Sequence, residues 1–185
     1  MNFPSQIGNF LIRLPHDRSL SEDLGFWRIA HVKPRNEKAL AQDCSRLEIG
    51  FFLPLYEKRI RRRDNNKPRK SLLPLFPGYV PFVDRENGKF QLYETNRVVN
   101  VLDVLDQERF VEDLTQVWQA ITSGAPLGVG KTFTVGQKVM VKEGPLQGLV
   151  GVIMQTTNRQ RLFLNVEEFH MAVSVELDRE DVELI

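Results

Sequence analysis

The sequence predicts an α+β protein in two parts: an N-terminal antiparallel sheet flanked by helices, followed by a small β-barrel. Three observations carry this. Strand-like and helix-like runs alternate between Gly25 and Thr122, the pattern of a compact mixed domain. The stretch "SGAPLGVGK", Ser123 to Lys131, is rich in small residues and has no periodicity, as a linker would. Beyond it every segment is strand-like, and short strands so closely spaced suit a barrel that closes on itself to hide its edges. The expected divisions are an N-terminal extension over 1–24, a domain over 25–122, a flexible linker over 123–132 and a barrel over 133–185.

Each element has its own signal. Residues 1–24 mix Pro, Ser, Asp and Arg without sustained periodicity and read as an irregular extension. "FWRIAHV" alternates well enough for a strand, with Trp27 and Ile29 on one face. In "KPRNEKALAQDCSRLEIG", Leu40, Cys44 and Leu47 fall at helical spacing, with Pro34 near the start and Gly50 past the end. "FFLPLYEKRIR" and "SLLPLFPGYVPFVD" read as strands of a long hairpin joined by the polar tip "RDNNKPR". Pro81 in the second of these lacks a ladder donor, which predicts that its strand lies at a sheet edge or ends there. "KFQLYETN" fits a short helix and "RVVNVLDV" a strand. "DQERFVEDLTQVWQAI" is the clearest helix, with Phe110, Leu114, Val117 and Ile121 on one stripe and Val111 and Trp118 beside it. The barrel strands are "QKVMVKE", "LVGVIMQT", "RLFLNVE" and "MAVSVEL".

Composition excludes several classes. With 42% hydrophobic and 26% charged residues the chain reads as globular and soluble. A single cysteine, Cys44, rules out an intramolecular disulfide and a thiolate metal cage. The first residues lack the basic and apolar regions of a signal peptide, and no run is long enough to cross a membrane, so a cytoplasmic protein is expected. The net charge of +1 says little, but its distribution is uneven. Eight of the thirteen residues from Lys58 to Lys70 are Lys or Arg, whereas the segment from Glu176 onward is acidic.

Chemistry is not legible. "GVGKT" at 128–132 lacks the first glycine of a phosphate loop and sits in the expected linker. His16, His31 and His170 have no metal-ligand spacing, and no nucleophile-base pair stands out. No catalysis, metal or cofactor is expected.

In "VGQKVMVKEGPLQGLVGVI" Gly136 opens a strand, Gly144-Pro145 makes a turn, and Gly148 and Gly151 follow at three-residue spacing. That spacing resembles the KOW motif of SH3-like barrels, found in ribosomal proteins and in transcription elongation factors of the NusG family. Upstream, Trp27, Glu37 ten residues later, and "LFPGYV" after a basic hairpin resemble the NusG N-terminal domain. The domain order and the closing "VELDREDVELI" agree, so the resemblance runs from about Phe26 to Ile185 and leaves residues 1–24 uncovered. The extension, the arginine-dense hairpin and the leucine in "PLFPGY" lean toward a specialised RfaH-like paralogue. In the RfaH type the second domain can refold into a helical hairpin that masks the polymerase site. Here the alternating valines of "KVMV" and "AVSV" favour the barrel instead.

The resemblance implies a monomeric, non-catalytic transcription elongation or antitermination factor that binds the clamp helices of the largest RNA polymerase subunit and bridges the DNA cleft. Leu75, Phe76, Pro77, Tyr79, Phe110, Val111 and Leu114 match the segments that form the polymerase-binding depression, and aromatic anchors suit a helical partner. Lys33, Arg35 and Lys38 gather at the start of the first helix, where the dipole favours phosphate, and with Arg97 match the face that approaches non-template DNA. Arg61, Arg62, Arg63, Lys67, Arg69 and Lys70 of the hairpin would neutralise phosphates of upstream DNA. Phe169 falls at an exposed hairpin tip of the barrel, where the family contacts the termination factor Rho or a small-subunit ribosomal protein, unless it folds back to cap the barrel. The alternative from another class is a KOW-type RNA-binding or ribosome-associated structural protein.

Overall fold

The computed structural model describes residues 6–7, 10–61, 68–131, 136–156, 159–177 and 181–185. Strands β1 (Gln6–Ile7) and β2 (Phe10–Leu11) form a small hairpin, and β3 (Arg13–Leu14) follows. After a single 3-10 turn at Leu20–Glu22 come β4 (Phe26–Val32), α1 (Glu37–Arg46) and β5 (Phe51–Phe52). Next are β6 (Leu55–Arg61), β7 (Pro68–Pro74), β8 (Tyr79–Asp84), α2 (Gly88–Glu94) and β9 (Val98–Asp103). The long helix α3 (Gln107–Thr122) ends the first half of the chain. Among the described residues the regular elements that follow are strands, apart from one 3-10 turn at Glu167–Phe169: β10 (Leu127–Lys131), β11 (Gln137–Val141), β12 (Val150–Thr156), β13 (Arg159–Val166), β14 (Met171–Leu177) and β15 (Val182–Leu184).

The first half is a five-stranded antiparallel sheet in the order β3-β5-β8-β4-β9, with β6 and β7 forming a separate two-stranded ribbon. Both halves of the expected hairpin are thus split: Pro54 divides β5 from β6, and the turn at residues 75–78 divides β7 from β8. The second half is a six-stranded antiparallel sheet, β10-β14-β13-β12-β11-β15. The mixed first domain and β-rich second domain are the fold class the sequence predicts. Buried apolar side chains of both halves form one cluster. In it α3 turns its apolar stripe to the first sheet, where Phe110 meets Trp27 and Trp118 meets Phe52, both edge-on.

Three expectations differ from the structure. The segment expected as an irregular extension joins the first domain: β3 pairs β5, Leu53 N–H donates to Ile12 O at 2.7 Å, and Ile12 and Leu20 are buried. Arg13, also buried, pairs with Asp23 at 3.4 Å. Strands of two residues carry no readable period, so sequence alone missed them. Within the expected linker, Leu127–Lys131 is β10, paired along its length with β14. Its Gly128 looks like linker composition, yet a Cβ there would stand 2.7 Å from Ser174 Oγ, so the glycine serves a close strand approach.

The third difference is Pro81, which sits in an interior strand between β5 and β4 and pairs with Ile29. Val83 N–H points toward β5, donating to Gly50 O at 2.8 Å. Pro81, two residues back, has its nitrogen on the same side. The pairing of β5 with β8 at Phe51–Phe82 sets Phe52, the last residue of β5, opposite Pro81. The proline therefore gives up a donor only where the neighbouring strand stops.

Candidate functional site

The turn between β7 and β8 is held from three sides. Leu75 N–H donates to Pro54 O at 2.8 Å, and Gly78 O accepts from Val32 N–H at 2.8 Å. Gly78 N–H donates to the carboxylate of Glu37 at 2.8 Å, across from the first turn of α1. The hydrogen-bonded turn Tyr79 N–H to Phe76 O, 3.1 Å, sets Phe76 and Tyr79 on either side of that glycine. Tyr79 then stacks on His31 of β4, 5.2 Å between centroids, which gives His31 a packing partner within the protein.

Phe76, Tyr79 and Phe110 converge, and the ring among them is Phe169 from the second domain. Its centroid lies 4.4 Å from Phe76, 5.6 Å from Tyr79 and 5.7 Å from Phe110, the last in an edge-to-face contact. Phe169 is 5% exposed. The expected exposed hairpin tip is therefore a buried plug, and it caps the other domain rather than its own. Of the residues expected to line a depression, Leu75, Phe76, Phe110 and Leu114 are buried, Tyr79 and Val111 are half-buried, and Pro77 is exposed. Val80, beside them in β8, is core.

Polar contacts also join α3 to the second domain. Arg109 pairs with Glu167 at 2.6 Å. Gln116 Oε1 accepts from Val150 N–H at 3.1 Å, and Gln119 Nε2 donates to Gln147 O at 2.8 Å. Burial pushes the Asp113 carboxyl up to about 6, against the opposing pull of the Glu167 backbone N–H and of Arg109. Arg109, Asp113 and Gln116 sit at helical spacing, so α3 presents a second, polar stripe to the second domain. Sequence reading missed all three of these residues, because a charged stripe ordinarily means solvent. Asp106, Glu108 and Glu112 join this stripe, with Lys138 and Asn165 opposite, around a cleft of about 770 Å³.

The basic residues divide. Lys33 and Arg35 are exposed at the entry to α1, with Lys33 Nζ on Asn96 Oδ1 at 2.8 Å. Arg97 turns inward instead, bound to Asp43 at 2.6 Å and to Asn36 at 3.0 Å, so it braces α1. Lys38 donates to Leu72 O at 2.7 Å and ties α1 to the ribbon; burial lowers its pKa. Lys70 pairs with Glu57 across the ribbon at 2.9 Å. Arg62, Arg63 and Lys67 lie outside the described residues, as do the side chains of Arg61 and Arg69.

No group of three His, Cys, Asp or Glu able to hold a metal occurs among the described residues. Cys44 is buried and its thiol is pushed up to about 12, far from a nucleophile's range. The first domain contributes three aromatic rings, Phe76, Tyr79 and Phe110, to the contact with Phe169.

A family model described as transcription termination factor nusG matches residues 25–121. No curated protein matches the chain. A crystal structure of the MjSpt4:Spt5 complex, in conformation B, is 15% identical with a TM-score of 0.28, covering 86% of this chain and 96% of that one. A likeness of that size supports no further argument.

Proposed function

The chain belongs to the NusG family, and from that premise we propose that it is a transcription elongation factor that works by binding RNA polymerase rather than by catalysis. One observation supports the polymerase-facing surface more than any other. Phe76, Tyr79 and Phe110 surround a space filled by a ring from the second domain, so the first domain on its own offers a recess there. An apolar recess with a half-buried tyrosine suits an amphipathic helix, and the clamp helices of the largest polymerase subunit are such a partner. Holding the two sides of the cleft together shifts polymerase away from paused or open states, a change of populations that needs no reacting group.

Exposed Lys33 and Arg35, together with the basic residues Arg61, Arg62, Arg63, Lys67, Arg69 and Lys70, add a sequence-independent attraction for DNA. In the cytoplasm, Phe169 and its loop would engage Rho or a small-subunit ribosomal protein. The KOW-like glycine pattern supports that use of the second domain. The test is capture of RNA polymerase by wild type, Phe76→Ala and Tyr79→Ala, each shown folded by circular dichroism. Loss of capture in both variants is expected; full capture by both would refute the assignment.

A further inference from the structure

We propose that the first domain carries a separate binding site, a cavity between its N-terminal segment and the end of α1 that takes a small zwitterion of the α-amino-acid kind. The cavity is about 340 Å³, at the lower end of the roughly 300–1,000 Å³ usual for small-molecule sites. Its lining joins the segment before residue 25, where the family match begins, to the end of α1 and the residue that follows β8. It shares no lining residue with the aromatic contact or with the cleft along α3.

The ligand's chemistry follows from charges that share the cavity without pairing. Arg85 and Glu48 both line it, yet neither forms an ion pair with the other or with any other described residue. Arg85 uses only its Nε, on the Leu24 carbonyl. Arg18 likewise gives its Nε to the buried carboxylate of Asp23, at 3.1 Å, and Arg13 steadies the same segment by donating to Arg18 O at 2.7 Å. Two guanidiniums are therefore fixed at Nε with their Nη nitrogens left over, the fork that grips a carboxylate. From the end of α1 come the Ser45 hydroxyl and the Glu48 carboxylate, neither with a protein partner among the described residues. Beside the carbonyl end of the helix dipole, these suit an ammonium. Glu48 stands at φ 58°, where helices commonly end in glycine, so its side chain is held there at a cost to the backbone. Leu14, Pro15 and Val83 add an apolar wall for an aliphatic side chain. Arg18 and Arg85 are balanced by Asp23 and Glu48, so the lining is neutral overall. A ligand with both signs matches it, whereas a singly charged one leaves a lining charge unanswered.

The test uses the full chain and three probes: L-leucine, 4-methylpentanoate, which lacks its ammonium, and 3-methylbutylamine, which lacks its carboxylate. Backbone amide shifts in NMR titrations locate and measure binding without reference to polymerase. L-leucine should move the amides of Ser45, Glu48, Gly50 and Arg85 in one saturable process. Each analogue should bind at least about 10-fold more weakly, the loss expected for one charge-assisted contact. Arg85→Ala should weaken L-leucine about 10-fold and remove its advantage over 3-methylbutylamine. Glu48→Gln should instead remove its advantage over 4-methylpentanoate. Both side chains are exposed, so the two variants should keep the fold, which circular dichroism verifies. No saturable shift at these amides with L-leucine, equal affinity for the three probes, or variants that bind as wild type does would each overturn the site. None of those results bears on the polymerase reading, which the capture experiment tests separately.

Discussion

Replacing Glu37 with alanine will loosen the turn that carries the aromatic face. Glu37 is 8% exposed, opens α1, and accepts the Gly78 N–H at 2.8 Å. Gly78 in turn receives Val32 N–H at its carbonyl, so the turn is pinned from α1 on one side and from β4 on the other. A hydrogen bond to an ionised acceptor contributes about 1.5–3 kcal/mol, and alanine leaves the Gly78 donor unmatched. That range corresponds to a roughly 10- to 150-fold rise in the local opening equilibrium. Native-state amide exchange at Gly78 and Val32 measures it directly, with urea unfolding followed by tryptophan fluorescence as the global control. Both amides should exchange faster by that factor in Glu37→Ala. Glu37→Gln keeps an acceptor without the charge and should recover about half of the loss, since charge-assisted bonds are roughly twice as strong as neutral ones. Exchange at Gly78 within threefold of wild type in the alanine variant would refute the claim that Glu37 holds the turn.

Three further predictions concern the frame around that face. Gly151→Ala would set a Cβ 2.5 Å from the Phe163 carbonyl oxygen, which is backbone and cannot swing away; a loss of about 2 kcal/mol or more is expected, and an unchanged melting temperature would contradict it. Asp23→Ala removes a buried partner of Arg13 and should cost about 3–5 kcal/mol in urea unfolding, whereas Arg18→Ala, at the more exposed end, should cost under about 1 kcal/mol. Equal effects from the two would argue against a buried charge pair. Burial raises Asp113 to about 6, so its contribution to the folded form is complete below about pH 4 and is lost as pH rises through about 6. Discounted for partial exposure, the effect is roughly 1 kcal/mol. Asp113→Asn should therefore be more stable than wild type by about that amount at neutral pH and equal to it near pH 4, and a variant no more stable at neutral pH would count against the burial argument.

What the sequence disclosed follows from which forces are local. The α3 stripe, the strand alternation in the second half and the "LFPGYV" turn were readable because a helix or strand declares its buried face within a few residues. The pairing of Glu37 with Gly78 and the meeting of Phe169 with Phe76 span 41 and 93 residues of chain, and no local pattern encodes them. Phe169 looked exposed because polar neighbours surround it in sequence; in space one of them, Glu167, pairs with Arg109 of α3 while the ring itself is buried. Arg97 and Lys38 looked like phosphate ligands because a cation's partner is invisible until the fold brings Asp43 or the Leu72 carbonyl to it. Pro81 misled in the opposite way: the rule that proline avoids interior strands is a rule about donors, and here the missing donor faces only the last residue of the neighbouring strand.

The ribbon of β6 and β7 has a consequence for how this near-neutral chain meets a polyanion. From the pair Leu55–Pro74 at its base to Arg61–Pro68, the ribbon advances six residues, roughly 20 Å at the usual strand rise. At physiological ionic strength a charge is felt over about 8 Å, so the two ends of the ribbon lie more than two screening lengths apart. Charges at the base cannot offset those at the far end, and the Glu57–Lys70 pair between them removes one cation from the middle of the run. The formal +1 is then a sum over charges that never act together. A salt titration of binding would count the cations within one screening length of the contact, and would report a strongly basic ligand where the whole-chain charge describes an almost neutral one.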